Sequence, residues 1–344
     1  MALVEAAQAS DEIDPLLVLR CKRRPEVDRS TELGRSGVPV RTVPGWSHTA
    51  TIVALARICR RWRPDVLVAH GFSEHLWGRY AGLLAGVPHL VHVEHNTREP
   101  YTRWRMVQSA WLARRTSRIV GCSEGVRLGL LEMGLPAEKT VAIPNGISLK
   151  PFVEADSMEF AKREPGIVMA SRFSRQKDHA TLLRALALLR HRGSQPPVLL
   201  VGGGKAQFRS PLEELAAELG LRDQVRFLGV RDDVPELLMR HRISVLSTHH
   251  EGMPLALIEA MAAGCAVVGS AVPGVREIIE DGVDGLLVPE RDAQALADAL
   301  ERLLHEPALA AALGNAARGV ALREYGRDRM NQRYEALFLE LLGR

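Results

Sequence analysis

Short apolar runs rich in β-branched residues recur along the chain and alternate with stretches of helical period. Val66–Ala69, Leu90–Val93, Ile119–Cys122, Thr140–Ile143, Gly166–Ala170, Val198–Val201, Val225–Leu228, Ile243–Leu246 and Ala266–Gly269 are apolar on both faces. Strands buried on both sides of a parallel sheet read this way. Helical stretches lie between them, at His179–Leu189, Pro211–Leu219, Pro235–Arg240, Leu255–Ala263 and Ala293–Leu304 among others. The alternation predicts an α/β fold built of doubly wound parallel sheets.

Pro144-Asn145-Gly146 is a turn signal, the polar Ser148–Glu164 follows it, and the strand count restarts at Gly166. At 344 residues the chain is about twice what one core supports. Two Rossmann-like domains facing across a cleft are therefore predicted, 1–146 and 147–324, with 325–344 as a terminal amphipathic helix. Ligands are expected at the carboxyl ends of the strands. The start departs from this plan, because Met1–Ser10 reads as a helix and Pro15–Arg20 as the next strand. A Rossmann half opens with a strand and a tight glycine turn, so the first domain reads as truncated at its start. In-frame codons upstream of Met1 are expected to encode an apolar strand and a Gly-Gly turn.

Composition narrows the class. With 46% hydrophobic and 25% charged residues, general disorder is excluded. The net charge of 45 − 41 = +4 is too mild to indicate nucleic acid. It is unevenly spread, 20 basic against 14 acidic residues up to Gly146 and 25 against 27 beyond, which points to an anionic partner or surface at the front half. Cys21, Cys59, Cys122 and Cys265 are far apart, so no disulfide framework or zinc site is indicated. Without a basic-then-apolar leader or a membrane-length apolar run, the reading is a cytoplasmic protein, at most peripheral at the inner face of the plasma membrane.

Several strand-end segments carry candidate chemistry. Glu251-Gly-Met-Pro-Leu-Ala-Leu-Ile-Glu259 follows the strand ending near Ser247. Pro254 suits the first turn of a helix and Gly264 its stop. The N–H groups of Gly252, Met253 and Leu255 then lie at a helix N-terminus, a site for a phosphate or a hydroxyl-rich ligand. Glu259 sits among Leu, Ala, Ile and Met, a costly place for an unpaired carboxylate, unless it lies on a solvated stripe. Arg172 and Lys177 follow the strand Gly166–Ala170, and a guanidinium fork with a point-charge ammonium suits a diphosphate. A solvated basic loop is the plainer alternative.

Gly202-Gly203-Gly204 permits a ligand's close approach, and Ser210-Pro211-Leu212-Glu213 reads as a capping box with Pro at the first helical position. There is no Gly-x-Gly-x-x-Gly, and no acid ends Val225–Gly229, so a nicotinamide dinucleotide is not indicated. His89, His92 and His95 share one strand, whose period turns His92 away and separates the outer two by about 20 Å. No metal site is expected from them. His70 and His95 end neighbouring strands and merit a substrate role, while His249 and His250 read as supporting or surface residues. Arg98–Arg118 holds six arginines and three aromatics with one acid. Either an interfacial membrane-binding helix or a solvated face over core tryptophans fits that segment.

Together these segments resemble the retaining nucleotide-sugar glycosyltransferases of the GT-B fold, the large family 4, over nearly the whole chain. The resemblance rests on the Glu251/Glu259 pair, Arg172 with Lys177, the Gly202/Gly204 turn, Gly229-Val-Arg231-Asp-Asp-Val234, Ser123-Glu124, Ile143-Pro-Asn-Gly-Ile147 and Val93-Glu94-His95. It implies that Arg172 and Lys177 hold the donor diphosphate and offset charge as the sugar–phosphate bond breaks. By the same resemblance Glu251 receives the donor sugar's hydroxyls, the Gly252, Met253, Pro254 and Leu255 backbone meets sugar or phosphate, and Glu259 accepts the ribose hydroxyls. Val230 and Arg231 would border the base, His95 would lie beside the reacting centre, and His70 and Asn96 would face the acceptor.

The terminal helix would cross back to the first domain. No metal or cofactor is implied beyond the nucleotide-sugar donor. A hexose-type sugar would pass, with retention, to a polysaccharide, glycolipid or lipid-linked acceptor. No nucleophilic carboxylate stands out, which favours same-face attack assisted by the leaving phosphate. Family members carry a glycine-rich loop after the first strand, and this sequence lacks it. Two alternatives stand beside this reading: a truncated, catalytically impaired nucleotide-sugar-binding protein, and a glycoside hydrolase using Glu251 and Glu259 as its carboxylate pair.

Overall fold

The computed structural model describes residues 2–10, 12–21, 37–71, 74–96 and 101–344. They form two compact units, Met1–Asn145 with Arg327–Arg344 and Gly146–Gly326. The first contains α1 (Ala2–Ala9), β1 (Leu17–Cys21), β2 (Val40–Pro44), α2 (His48–Trp62), β3 (Val66–His70), α3 (Glu74–Ala85), β4 (His89–Glu94), α4 (Arg103–Ala113), β5 (Arg118–Gly121), α5 (Glu124–Glu132) and β6 (Thr140–Ala142). Strands β3 to β6 form a parallel sheet in chain order, and β1 pairs with β2 in a parallel sheet of their own. The apolar run in β4 is buried from Leu90 to Glu94, which carries a carboxylate into the core at the strand's carboxyl end.

The second unit contains β7 (Glu164–Ala170), α6 (His179–His191), β8 (Val198–Val201), α7 (Ala206–Glu218), β9 (Val225–Gly229), α8 (Val234–Arg240), β10 (His241–Leu246), α9 (Leu255–Ala262), β11 (Ala266–Ser270), α10 (Pro273–Arg276), β12 (Leu286–Val288), α11 (Ala293–His305) and α12 (Pro307–Glu324). Its six strands are parallel in the order β12-β11-β10-β7-β8-β9. Strand order reverses between β7 and β10, and the crevice above such a switch point is where open α/β sheets take ligands.

Helix α7 differs from expectation. It starts at Ala206, so Ser210 is not its cap and Pro211 lies inside the helix. Phe208 N–H and Arg209 N–H already bond to the Lys205 carbonyl, which nucleates the helix one turn earlier than the proline. Pro211 therefore costs α7 one backbone bond. The last helix, α13 (Arg327–Leu341), follows a break at Tyr325-Gly326 and belongs to the first unit. Its Met330, Tyr334 and Leu337 are buried with Val91, Val93, Val120 and Ile143 of the β4–β6 sheet. Each such side chain contributes roughly 1.5–3 kcal/mol by burial. Helix α1 lies along α13, where Ser10 Oγ donates to Glu335 at 2.6 Å and Arg327 pairs with Glu5 at 3.5 Å.

Candidate active site

The loops leaving β7 and β10 are stitched together above the switch point. Asp178 N–H bonds to Ser247 O at 3.1 Å and His249 N–H to Gln176 O at 2.9 Å, while the Gln176 amide donates to His250 O at 2.6 Å. Asp178 caps α6, accepting from Thr181 N–H at 3.3 Å and from its hydroxyl at 2.6 Å. This frame brings Lys177 Nζ onto Glu251 Oε1, and Thr248 Oγ1 donates to the same oxygen at 2.8 Å. The Lys177 and Glu251 side chains are only 12% and 7% exposed, so each charge depends on the other.

His179 clamps the β7 loop at both ends. Its Nδ1 donates to Lys177 O at 2.7 Å, which leaves Nε2 to accept from Ser171 Oγ at 3.1 Å. Burial lowers its pKa to about 4, so it is neutral at physiological pH. Neither Thr248 nor His179 stood out in the sequence. A hydroxyl three residues ahead of Glu251 and a histidine two beyond Lys177 were the available signals.

Among the charges that follow these strands, Arg172 and Glu259 have no partner among the described residues. Arg172 is exposed and forms no hydrogen bond or ion pair. Glu259, on the first two turns of α9, is partly buried with neither, and burial alone raises its pKa. Pro254 is the extended N-cap just ahead of helix α9 rather than a residue of its first turn, it gives no side-chain cap, and the first bond runs from Leu257 N–H to Pro254 O at 3.0 Å. Leu255 thus lies ahead of the bonded ladder, as an anion- or hydroxyl-binding helix start requires. Glu251, Gly252, Met253 and Pro254 are buried, and Leu255 is exposed.

The glycine turn packs closely on the chain's own backbone. A Cβ on Gly202 would stand 2.0 Å from Ser171 O, and one on Gly204 would stand 2.6 Å from Phe173 O. These glycines admit the chain's own backbone, with Phe173 N–H on Gly203 O at 2.8 Å, and so set the Arg172 loop. Gly202 also has a φ of +148°, which side chains rarely adopt. Val230 is exposed, and Arg231 forks onto Asp233 at 2.5 and 2.7 Å.

The first unit holds a different constellation. His70 Nδ1 and His95 Nε2 lie 3.2 Å apart at the ends of β3 and β4. Burial, and then His95 beside it, lower the His70 pKa to about 4. Burial also lowers that of His95. Behind them lie buried Arg79, His75, His92 and Glu94, joined by Tyr101; the sequence singles out Glu94 beside His95 and Tyr101 in the arginine-rich segment, and nothing in it marks Arg79 or joins these residues to one another. His75, His92 and Glu94 bring three potential ligand atoms within 4.8 Å, a cluster not foreseen when His89, His92 and His95 were weighed. His75 comes from a helix, beyond the reach of strand period. Both ring nitrogens of His92 are buried without a hydrogen bond, and its ring stacks on His75 at 4.0 Å.

Of the arginine-rich segment, residues 97–100, Arg98 included, lie outside the described residues. Helix α4 leaves Trp104 71% and Trp111 44% exposed, so these tryptophans are not core. Arg115 lies over the Trp111 ring at 3.9 Å. Among the described residues no helix is long and apolar enough to cross a membrane.

Comparison with known proteins bears on both units. Residues 6–150 match the family model Glycosyltransferase Family 4, and residues 154–320 match Glycosyl transferases group 1. The chain is 30% identical over 329 residues to D-inositol 3-phosphate glycosyltransferase of Actinosynnema mirum, covering 86% of this chain and 78% of that protein. It is 26% identical over 275 residues to UDP-Gal:alpha-D-GlcNAc-diphosphoundecaprenol alpha-1,3-galactosyltransferase of Escherichia coli, covering 75% and 71%. Among solved structures, Anabaena Alr3699/HepE in complex with UDP superposes with a TM-score of 0.85 at 21% identity, over 98% of this chain and 95% of that one.

Proposed function

The chain belongs to the group 1, family 4 glycosyltransferases of the GT-B fold, and from that premise we propose that it moves a hexose-type sugar from a nucleotide-diphosphate sugar to a polysaccharide, glycolipid or lipid-linked acceptor, with retention. The observation that carries the donor assignment is Glu259, a carboxylate partly buried and without a partner beside the switch point. A ribose diol supplies the two hydroxyl donors such a group lacks. Arg172 and Lys177 meet the diphosphate, and Val230 and Arg231 border the base. The relatives' names support a nucleotide sugar and a lipid-linked or polar acceptor.

In the reaction, the bond from the sugar's anomeric carbon to the diphosphate oxygen breaks, and that oxygen leaves with the electron pair. Lys177 and Arg172 stabilise the charge as it develops. The acceptor oxygen bonds to the anomeric carbon on the face just vacated, and its proton passes to the departing phosphate. Glu251 holds Lys177 in place and takes the sugar's hydroxyls; in the first unit, His95 is the candidate for the reacting centre, and His70 and Asn96 are those for the acceptor. The test is turnover of UDP-, GDP- and ADP-hexoses with a polyprenyl-diphosphate-linked sugar as acceptor. One nucleotide series is expected to react, giving a product of unchanged anomeric configuration, and Glu259→Ala to abolish donor saturation. Inversion, or a trapped covalent glycosyl–enzyme, would overturn the mechanism.

The exposed Trp104, Val107 and Trp111 of α4, with Arg103, Arg114 and Arg115, suit an anionic membrane surface. Sedimentation with phosphatidylglycerol vesicles, but not phosphatidylcholine vesicles, is the expected result. Unchanged sedimentation of Trp104→Ser/Trp111→Ser would sink this part of the reading.

A further inference from the structure

The buried cluster of the first unit ends on His95, and its protons run in one direction. Arg79, on α3, has only donors to offer. Its Nη2 reaches His75 Nδ1 at 2.6 Å, its Nε reaches His75 O at 3.2 Å, and its Nη1 reaches Thr116 Oγ1 at 3.1 Å. With Nδ1 accepting, the neutral His75 ring carries its proton on Nε2. That nitrogen lies 2.7 Å from the Tyr101 hydroxyl, which therefore accepts from His75. Tyr101 then donates to Glu94 Oε2 at 3.1 Å, and Glu94 Oε1 accepts the His95 N–H at 2.9 Å. A fixed cation stands at one end of the chain of bonds and a carboxylate at the other.

The same directions argue against a cation among His75, His92 and Glu94. The His75 nitrogen that faces Tyr101 carries its proton, and the Arg79 guanidinium already occupies the other. Arg79 stays charged, although burial lowers its pKa to about 10. A metal would meet a protonated ligand and a like charge. The residues are better used as a scaffold.

We infer that Tyr101 and Glu94 are positioning residues for His95, holding the backbone at the carboxyl end of β4 so that the His95 ring keeps one orientation. The inference rests on the role given above to His95. Two observations carry it. Glu94 is a carboxylate taken into the core and spent on the His95 amide, where a solvated turn would need none. The His95 ring is then fixed from its far side by His70. Tyr101 stands two residues ahead of α4. Glu94 would otherwise face His75, His92, Arg79 and His95 without the hydroxyl that directs its charge toward the His95 amide.

The test compares wild type with Tyr101→Phe, Glu94→Gln and His95→Ala. Steady-state rates use whichever UDP-, GDP- or ADP-hexose the wild type turns over, and nitrogen-15 imidazole spectra report the His75 tautomer. His75 is expected to be protonated on Nε2 in the wild type. Tyr101→Phe and Glu94→Gln are expected to lower kcat about tenfold or more while donor KM stays within about twofold. A general loss of fold would move both constants and the melting transition, and Tyr101→Phe keeps the ring to guard against this.

Wild-type kcat in Tyr101→Phe beside an impaired His95→Ala overturns the inference, as does a His75 proton on Nδ1. A fully active His95→Ala instead ends the role of His95 on which it rests. If no donor is turned over, the transferase reading fails, and the His75 tautomer alone then decides the chain of bonds: Nε2–H upholds it and Nδ1–H ends it.

Discussion

In the second unit the site's charges sit at strand ends and are held by one another, Lys177 against Glu251 with Thr248 beneath. In the first unit the strand end is reached through the core, where the neutral His75 and Tyr101 link a buried Arg79 to a buried Glu94. The second unit leaves Arg172 and Glu259 unspent, ready for a ligand. The first spends its carboxylate on its own backbone. Unpaired groups at a switch point mark where a ligand is held, whereas a closed chain of bonds marks a part that must stay still.

The largest expected effect separates these roles. Lys177→Ala leaves Glu251 buried without its cation and should destabilise by about 3 kcal/mol. It should also cut kcat/KM by roughly two to three orders of magnitude through lost charge stabilisation. Arg79→Met should cost a comparable amount in a urea melt, by leaving His75, Thr116 and Glu94 without their cation. Nucleotide affinity should nevertheless persist in Arg79→Met. An Arg79→Met variant that melts normally yet binds no nucleotide would erase the distinction between the two regions.

Acidification should sharpen it. Burial lowers the pKa of His75 and His92 in the first unit, and that of His179 to about 4 in the second. Unfolded histidine titrates near 6.5, so the unfolded chain takes up these protons first, and stability falls as pH drops from about 6.5 toward the folded values. Glu94 and Glu259 have raised values, and their smaller opposing penalties are relieved over the same descent. With two fully buried histidines against one, the β4–β5 amides should lose hydrogen-exchange protection before those of β7 and β10. Simultaneous loss would count against this.

Glycine at position 202 offers a middle-sized effect. Gly202→Ala would press a methyl onto the Ser171 carbonyl and displace the Arg172 loop, so donor KM should rise about tenfold with the β4-end histidines unchanged in their spectra. The smallest effect concerns Glu259→Gln without ligand. Its carboxylate is destabilising above its raised pKa, so neutralising it should raise the apo Tm by roughly 1–3 °C at pH 7. A lower Tm would mean that Glu259 has a partner within the fold.

Much of the strand-end arrangement of the second unit was legible because its signals are local. Strand, loop and helix start lie within a dozen residues, as in Glu251–Glu259, and parallel strands announce themselves by two-faced apolarity. The capping box at Ser210 misled, because a helix boundary depends on where the first turn nucleates, and Lys205 did that earlier. Gly202 and Gly204 are marked in the sequence as places of close approach, and the fold adds that the chain's own backbone is one of the neighbours there. Arg79, His75, Glu94 and Tyr101 are spread over two elements and a loop. No spacing in the sequence brings them together, and helix α3 supplies two of them from outside any strand period.

The most direct measurement is a calorimetric titration of UDP, GDP and ADP into the wild type and Glu259→Gln, the variant that should keep the fold. One nucleoside diphosphate is expected to bind the wild type and to bind Glu259→Gln roughly 10- to 100-fold more weakly, the loss of hydrogen bonds to a charged acceptor. Equal affinity for both proteins, or no binding to a cooperatively melting wild type, would contradict a donor site at the switch point of the second unit.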